Sequence, residues 1–442
     1  MITHIRMKNF KSWRDSREVK LAPLTGFFGT NSSGKSSLLQ MLLLLKQTVE
    51  RADAEETIFF GDENSLVNLG SFREVIHGHE SGTELYLGII GKLSHSSLNF
   101  FKTPFQTMHF AFDTTIRENE ESLIIEQFRY TSMSSNIKIV WENDKFFNRN
   151  QHPIPLYIQN CYGLPSSENS DIPEVLIEFS SAFENLFAHV YYLGPTRAHP
   201  QRYYHWERTH PKEIDMWGDK AIDALLSASV RQLTTTHNGK GVPIEEQISK
   251  WLQKLDLAHS FSLVPIGDLD DNNYEIRIRK TPNSAQVTLS DLGHGVGDLF
   301  PLLVHCCYVP EGSTLILEQP GIHLHPKAQA DLADLLIEVI TGRNLQILIE
   351  SHSEHLLNRL QRRVAEEKIA ADETALYFCR NEAGVSTIER LEMDEFGNIA
   401  NWPENFFGDE MGDLFAMTEA QRERQKIATG LIEGPAVAPS KG

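Results

Sequence analysis

Residues 29–36 read GTNSSGKS and fit G-x-x-x-x-G-K-[ST]. The apolar run LTGFF precedes them, and SSLLQMLLLLKQTVE, a run with strong helix formers, follows. A strand, a glycine-rich turn and a helix in that order point successive backbone N–H groups at one spot in front of the helix N-terminus, which suits phosphate oxygens. In such a loop Lys35 reaches the outer phosphates and the Ser36 hydroxyl ligates magnesium, with Asn31, Ser32, Ser33, Gly34 and Ser37 completing the cradle. The expected ligands are therefore ATP and Mg2+. The expected setting is an α/β fold with a mostly parallel core sheet.

A phosphate loop needs a carboxylate on a neighbouring strand to hold the metal. STLILE ends in Glu318, and ligands of open parallel sheets bind at such strand ends. Nucleotide hydrolases usually place a second carboxylate next in line to activate water. Here Gln319 follows, then Pro320 and Gly321, and the next acid is Asp331. An amide holds water but cannot take its proton. General-base help is worth roughly 10²- to 10⁴-fold, or about 3–5 kcal/mol of barrier. Water-orienting glutamines do serve some GTPases, so slow turnover is expected rather than none. LQILIE ends in Glu350, followed by Ser351 and His352. A histidine there reaches the γ-phosphate, and Glu350 is a spare carboxylate that could assist the water. His323 and His325 form H-x-H ahead of Pro326, which suits the first position of a helix over PKAQADLADLLIEVITG. With no third ligand evident, the pair reads as a turn at a subunit contact rather than a metal site.

The net charge of −19 weighs against a duplex-binding surface, which normally carries a basic surplus. RLQRR, residues 359–363, is the densest basic run. It reads as a solvated helix face and leaves room for a local nucleic-acid patch. The four cysteines show no C-x-x-C spacing and suit a reducing compartment. No signal-like segment follows MITHIRMKNF and no run reaches membrane-spanning length, so a cytoplasmic chain without membrane contact is expected. Alternating runs from Thr83 to Phe147 predict an antiparallel sheet, Asp215 to Leu257 reads as mainly helical, and strands alternate with helices after Gly293. The expected division is 1–82 and 266–429 as the two ATPase lobes, 83–214 as an inserted β-rich subdomain, 215–265 as a helical insert and 430–442 as a disordered tail. No sustained heptads predict a coiled-coil arm.

Five elements occur in order: N-F-K at 9–11, the phosphate loop, L-S-D-L-G-H-G-V-G at 289–297, E-Q-P-x-x-H-L-H-P at 318–326 and E-S-H-S-E-H at 350–355. Together they resemble the ABC-class ATPases of the RecF, SMC and OLD type. The chain is most similar to short bacterial members that end in W-P-x-x-F-F, as residues 402–407 do here. ATPase subunits of Septu-type and related anti-phage systems are of this general kind. The resemblance implies an ABC-type ATPase head with an N-terminal antiparallel β subdomain and a helical insert. It also implies a head-to-tail homodimer, or a higher even oligomer, with ATP between one subunit's phosphate loop and the other's glycine-rich signature. The matching signature residues are Ser290, Gly293, Gly295 and Gly297. The chain departs from the family at Gly297-Asp298, where Ser-Gln is common, and at Gly321, where relatives often have Glu. GPTR, 194–197, resembles a G-P-x-R turn of these ATPases, in which Arg197 contacts nucleotide or partner, or simply ties the turn. After His355 there is no D-x-D set of the kind a Toprim nuclease needs. The resemblance thus implies a regulatory ATPase acting on a separate effector such as a nuclease in anti-phage defence. The alternative is a RecF-like, ATP-dependent DNA-binding protein of DNA repair.

Overall fold

The computed structural model describes residues 1–51, 56–94, 107–119, 122–132, 138–142, 145–148, 154–155, 160–163, 174–237, 239–267, 272–403, 406 and 410–428. The chain opens with β1 (Ile2–Phe10), the short strands β2 (Trp13–Asp15) and β3 (Val19–Lys20), and β4 (Leu24–Gly29), which runs into the phosphate loop. Helix α1 (Lys35–Glu50) leaves that loop, and the single turn α2 (Phe72–Val75) follows. A meander comes next: β5 (Leu85–Ser94), β6 (Thr107–Asn119), β7 (Ser122–Ser132), β8 (Lys138–Glu142), β9 (Lys145–Asn148) and β10 (Ile154–Pro155). It pairs in the order β10-β9-β8-β7-β6-β5-β1-β2, with β3 also on β1. Along α3 (Glu174–Ala188), Leu176, Phe179, Phe183 and Phe187 recur at helical spacing and are buried. Phe183 meets Phe112 with ring centroids 4.6 Å apart, and Phe179 stacks on Tyr130 at 5.1 Å, so α3 covers this sheet.

After β11 (Val190–Leu193) and β12 (Tyr204–His205) come α4 (Ala221–Val230), the hairpin β13 (Thr234–His237) and β14 (Lys240–Pro243), and α5 (Ile244–Lys254). A small sheet of β12, β15 (Ser260–Ile266), β16 (Asn273–Arg279) and β17 (Gln286–Thr288) leads into α6 (His294–Tyr308). The chain then alternates: β18 (Thr314–Glu318), α7 (Pro326–Arg343), β19 (Gln346–Glu350), α8 (Glu354–Ala365), β20 (Thr374–Glu382) and β21 (Val385–Arg390). These strands and β4 make the central sheet, ordered β11-β18-β19-β4-β20-β21. The first five are parallel, and β21 returns antiparallel along β20. Every residue of β4, β18 and β19 is buried, as expected for inner parallel strands covered on both faces.

Residues Met1–Asn401 form one compact unit, and Trp402–Gly442 form a second that carries α9 (Glu410–Ala428). The division expected at 82/83 falls within one sheet, because β5 pairs with β1 from Ile2↔Gly91 to Lys8↔Tyr86. The stretch 215–265 holds α4 and α5 but also the β13–β14 hairpin and the start of β15, so it is not wholly helical. The tail from Gly430 lies outside the described residues. No described helix is long and apolar enough to cross a membrane.

Candidate nucleotide-binding site

The phosphate loop is braced from below before it meets any ligand. Gly34 has φ +91, and a Cβ there would lie 2.5 Å from Ser386 Oγ and 2.8 Å from Trp13 Nε1. Trp13 donates its indole N–H to the Gly34 carbonyl at 3.0 Å, and the Ser12 and Ser386 hydroxyls pair at 2.6 Å. The β1–β2 turn and β21 thus fix the bend from which α1 starts. Lys35 is buried and donates to the Gly29 carbonyl at 3.2 Å, the Thr30 carbonyl at 2.7 Å and Ser33 Oγ at 3.4 Å. Burial lowers its pKa, and the Glu350 carboxylate, 4.0 Å away, opposes that shift.

Parallel pairing sets Glu318, the last residue of β18, directly beside Glu350, the last of β19. Burial, then the neighbouring Glu350, raises the Glu318 pKa to about 7. A 2.9 Å hydrogen bond from the Tyr192 hydroxyl and the charges of Arg197 and Lys11 pull the other way. Burial also raises Glu350, against a hydrogen bond from the Ser36 hydroxyl and the charge of Lys35. Glu350 Oε2 is buried with no hydrogen-bond partner among the described residues.

Two carboxylates side by side, one oxygen idle, and a serine hydroxyl in contact form an oxygen set that fits a magnesium ion. Gln319 sits one residue on, its N–H bonded to the Glu350 carbonyl at 2.9 Å. Its φ of +49 is uncommon for a residue with a side chain. His352 is exposed. Even so, partial desolvation on the protein side and then the charge of Lys35 lower its pKa, while a hydrogen bond at the Gly29 backbone opposes them, which puts the ring beside the start of the loop.

The structure therefore brings Lys35, Ser36, Glu318, Gln319, Glu350 and His352 to one end of the central sheet. Ser33 joins them through Lys35, whereas Asn31 and Ser32 are exposed on the loop. The signature residues are elsewhere. Ser290 pairs with Thr288 Oγ1 at 2.8 Å in the turn before α6, and Gly293 caps that helix. Gly295 lies so close to the loop after β18 that a Cβ would come within 2.7 Å of the His323 carbonyl oxygen. Among the described residues no hydrogen bond or ion pair joins this signature to the phosphate loop of the same chain. Arg197 is buried and donates to the Glu318 carbonyl at 3.2 Å, and burial pulls its pKa down to about 10.

The H-x-H pair separates: His323 Nδ1 bonds Asp298 at 2.7 Å, while His325 Nδ1 accepts from the Lys327 N–H at the start of α7. Among the described residues no group of three His, Cys, Asp or Glu side chains could hold a metal by itself. The basic run 359–363 does not form an open patch. Arg359 pairs with Asp331 and Asp334, Arg363 with Asp334 and Glu366, and Arg362 with Glu366. Sequence reasoning gave no role to Tyr192, Trp13, Ser386 or Lys11. For Lys11 alone there was a signal, its place in N-F-K.

Residues 1–192 match the family model "AAA ATPase domain", and residues 167–358 match "AAA domain, putative AbiEii toxin, Type IV TA system". Residues 369–417 match "Protein of unknown function (DUF3696)". The two AAA-type matches overlap at residues 167–192 and together span residues 1–358, so the chain carries AAA-type ATPase domain sequence. No curated protein matches it in sequence. Among solved structures it is similar to an SMC head bound to the C-winged helix domain of ScpA, at 13% identity and TM-score 0.48 over 89% of this chain and 98% of that one. It is also similar to the SMC head domain from Thermotoga maritima, at 14% identity and TM-score 0.41 over 88% and 99% of the two chains. A third is the Pyrococcus furiosus SMC head with extended coiled coil bound to the C-terminal domain of ScpA, at 11% identity and TM-score 0.45 over 95% and 99%.

Proposed function

We propose that this protein is an ATP-binding, slowly hydrolysing regulatory ATPase that dimerises head to tail and controls a separate effector, such as a nuclease, in bacterial anti-phage defence. The observation that carries the enzymatic half is the strand-end pair Glu318 and Glu350 facing Lys35 and Ser36, with an amide at Gln319 where a base would stand. Ser36, Glu318 and Glu350 would hold magnesium, which when bound offsets charge on the phosphates. Lys35 exchanges loop carbonyls for phosphate oxygens. Gln319 orients the attacking water without accepting its proton. Glu350 is engaged by Ser36 and Lys35 on the metal side, which leaves it poorly placed as a substitute base. His352 stands at the loop to sense the outer phosphate. The separation of the signature from the phosphate loop within one chain supports closure by a second copy. The regulatory half is supported by the resemblance to Septu-type ATPase subunits and by the match of residues 167–358 to a toxin–antitoxin-type AAA domain.

The test is ATP binding and single-turnover hydrolysis by purified protein, with Lys35→Ala as the blank and Gln319→Glu beside it. Lys35→Ala should abolish binding. Gln319→Glu should turn over on the order of 10²-fold faster, the lower range of general-base help. Brisk wild-type hydrolysis that Gln319→Glu does not raise would refute the slow-switch reading.

A further inference from the structure

Arg197 is 8% exposed, yet its Nε and Nη1 have no hydrogen-bond acceptor among the described residues. Only Nη2 is engaged, on the Glu318 carbonyl. Idle N–H groups on a buried cation are costly, so they mark a place where an acceptor would be taken up. The candidate partner is Asp298 of α6: the segment after Arg197 packs on the start of that helix, with the His199 and His294 rings 5.7 Å apart and Pro200 so close to Gly297 that a Cβ there would lie 2.6 Å from it, and the Asp298 carboxylate attracts the Arg197 charge. Its carboxylate is taken by His323, whose side chain is 57% exposed on the loop after β18. His323 has φ +63, and its carbonyl is packed against Gly295. One carboxylate therefore has two claimants, an exposed imidazole on a surface loop and a buried guanidinium behind the strand end. Asp298 is also where this chain departs from the Ser-Gln of its resembled family. The acid makes sense if it has a cation to meet.

We propose that Arg197 is a positioning residue in a partner-exchange relay. When the loop at 319–325 draws His323 away from α6, Asp298 passes to Arg197, and the guanidinium resets the Glu318–Gln319 peptide that it already holds. The relay would report the state of the glycine-rich start of α6, the surface a second copy would engage, to the residue that orients water. It rests on the reading of Glu318–Gln319 as the metal and water end of the site.

The decisive measurement is a mutant cycle on single-turnover hydrolysis. His323→Ala leaves Asp298 with Arg197 as its remaining claimant. Arg197→Lys, which keeps the charge and loses the fork, should then slow turnover by at least about twofold more in the His323→Ala background than in wild type, the lower end of coupling between contacting groups. Adding Asp298→Asn to both backgrounds should erase the difference. Equal factors in the two backgrounds, or a difference that survives Asp298→Asn, overturn the relay.

If Arg197→Lys does not fold, hydrogen exchange at the Gln319 amide serves instead. The relay requires slower exchange in His323→Ala than in wild type, and unchanged or faster exchange overturns it. ATP binding by Lys35→Ala, measured alongside, separates the two failures. If that variant binds ATP like wild type, the site reading fails. If it does not bind and the cycle is additive, only the relay fails.

Discussion

Tyr192 donates its hydroxyl to the Glu318 carboxylate from β11, a strand that otherwise reads as plain apolar sequence. A hydrogen bond to a charged group is worth about 1.5–3 kcal/mol, roughly ten- to hundredfold in an equilibrium. In Tyr192→Phe the carboxylate loses the donor that fixes its orientation for metal. The magnesium concentration needed for half-maximal ATP binding should rise about tenfold, while binding in EDTA changes less than about twofold. Titration calorimetry with and without magnesium checks this, and equal losses in both conditions would point to a general packing role. Glu318, Gln319, Glu350 and His352 were legible from sequence because each ends or follows a buried β run, and the phosphate loop is a local pattern. Tyr192 was not, because its role depends on β11 lying in register with β18, Leu193 opposite Leu317, across more than a hundred residues. Trp13 and Ser386 escaped for the same reason. They brace Gly34 only once the two ends of the chain meet.

At the scale of elements, α6 joins an exposed glycine-rich start to a fully buried body. His305 lies in that body, its Nδ1–H donating to the Pro301 carbonyl at 3.1 Å. Burial pushes its pKa down to about 4. A histidine whose folded pKa is depressed stabilises the fold fully above its unfolded value near 6.5, and that contribution is lost as pH falls toward 4. The shift corresponds to about 3 kcal/mol. Denaturant unfolding at pH 7 and pH 4 should therefore show His305→Leu losing about 3 kcal/mol less than wild type over that interval. Parallel losses in the two proteins would mean that the folded imidazole titrates near its unfolded value. Sequence pointed to this helix through its glycines, but its depth was hidden, because Cys306, Cys307 and His305 become core only when α4 and α5 pack against it.

Across the whole molecule, 60 acidic side chains against 41 basic ones leave a net charge of −19, so duplex binding would need a local concentration of unpaired cations. The densest basic run in the sequence does not provide one. α7 places Asp331 and Asp334 against Arg359 and Arg363 of α8, and Glu366 closes the set. Whatever these partly buried pairs add to stability, each one removes a cation from what a phosphate backbone could use. Freed of Asp331 and Asp334, the same helix would present its arginines together. Fluorescence anisotropy with a labelled duplex should thus find no binding by wild type tighter than on the order of 10 µM at physiological salt, the middle of the non-specific range, with or without ATP. The double change Asp331→Asn, Asp334→Asn should create weak binding that falls steeply between 50 and 200 mM salt, as counterion release requires. Tight, salt-steep binding by the wild type in ATP would place the cationic surface elsewhere on the molecule, outside the α7–α8 pair. It would also replace the effector-controlling ATPase with a DNA-binding head that the closed dimer completes.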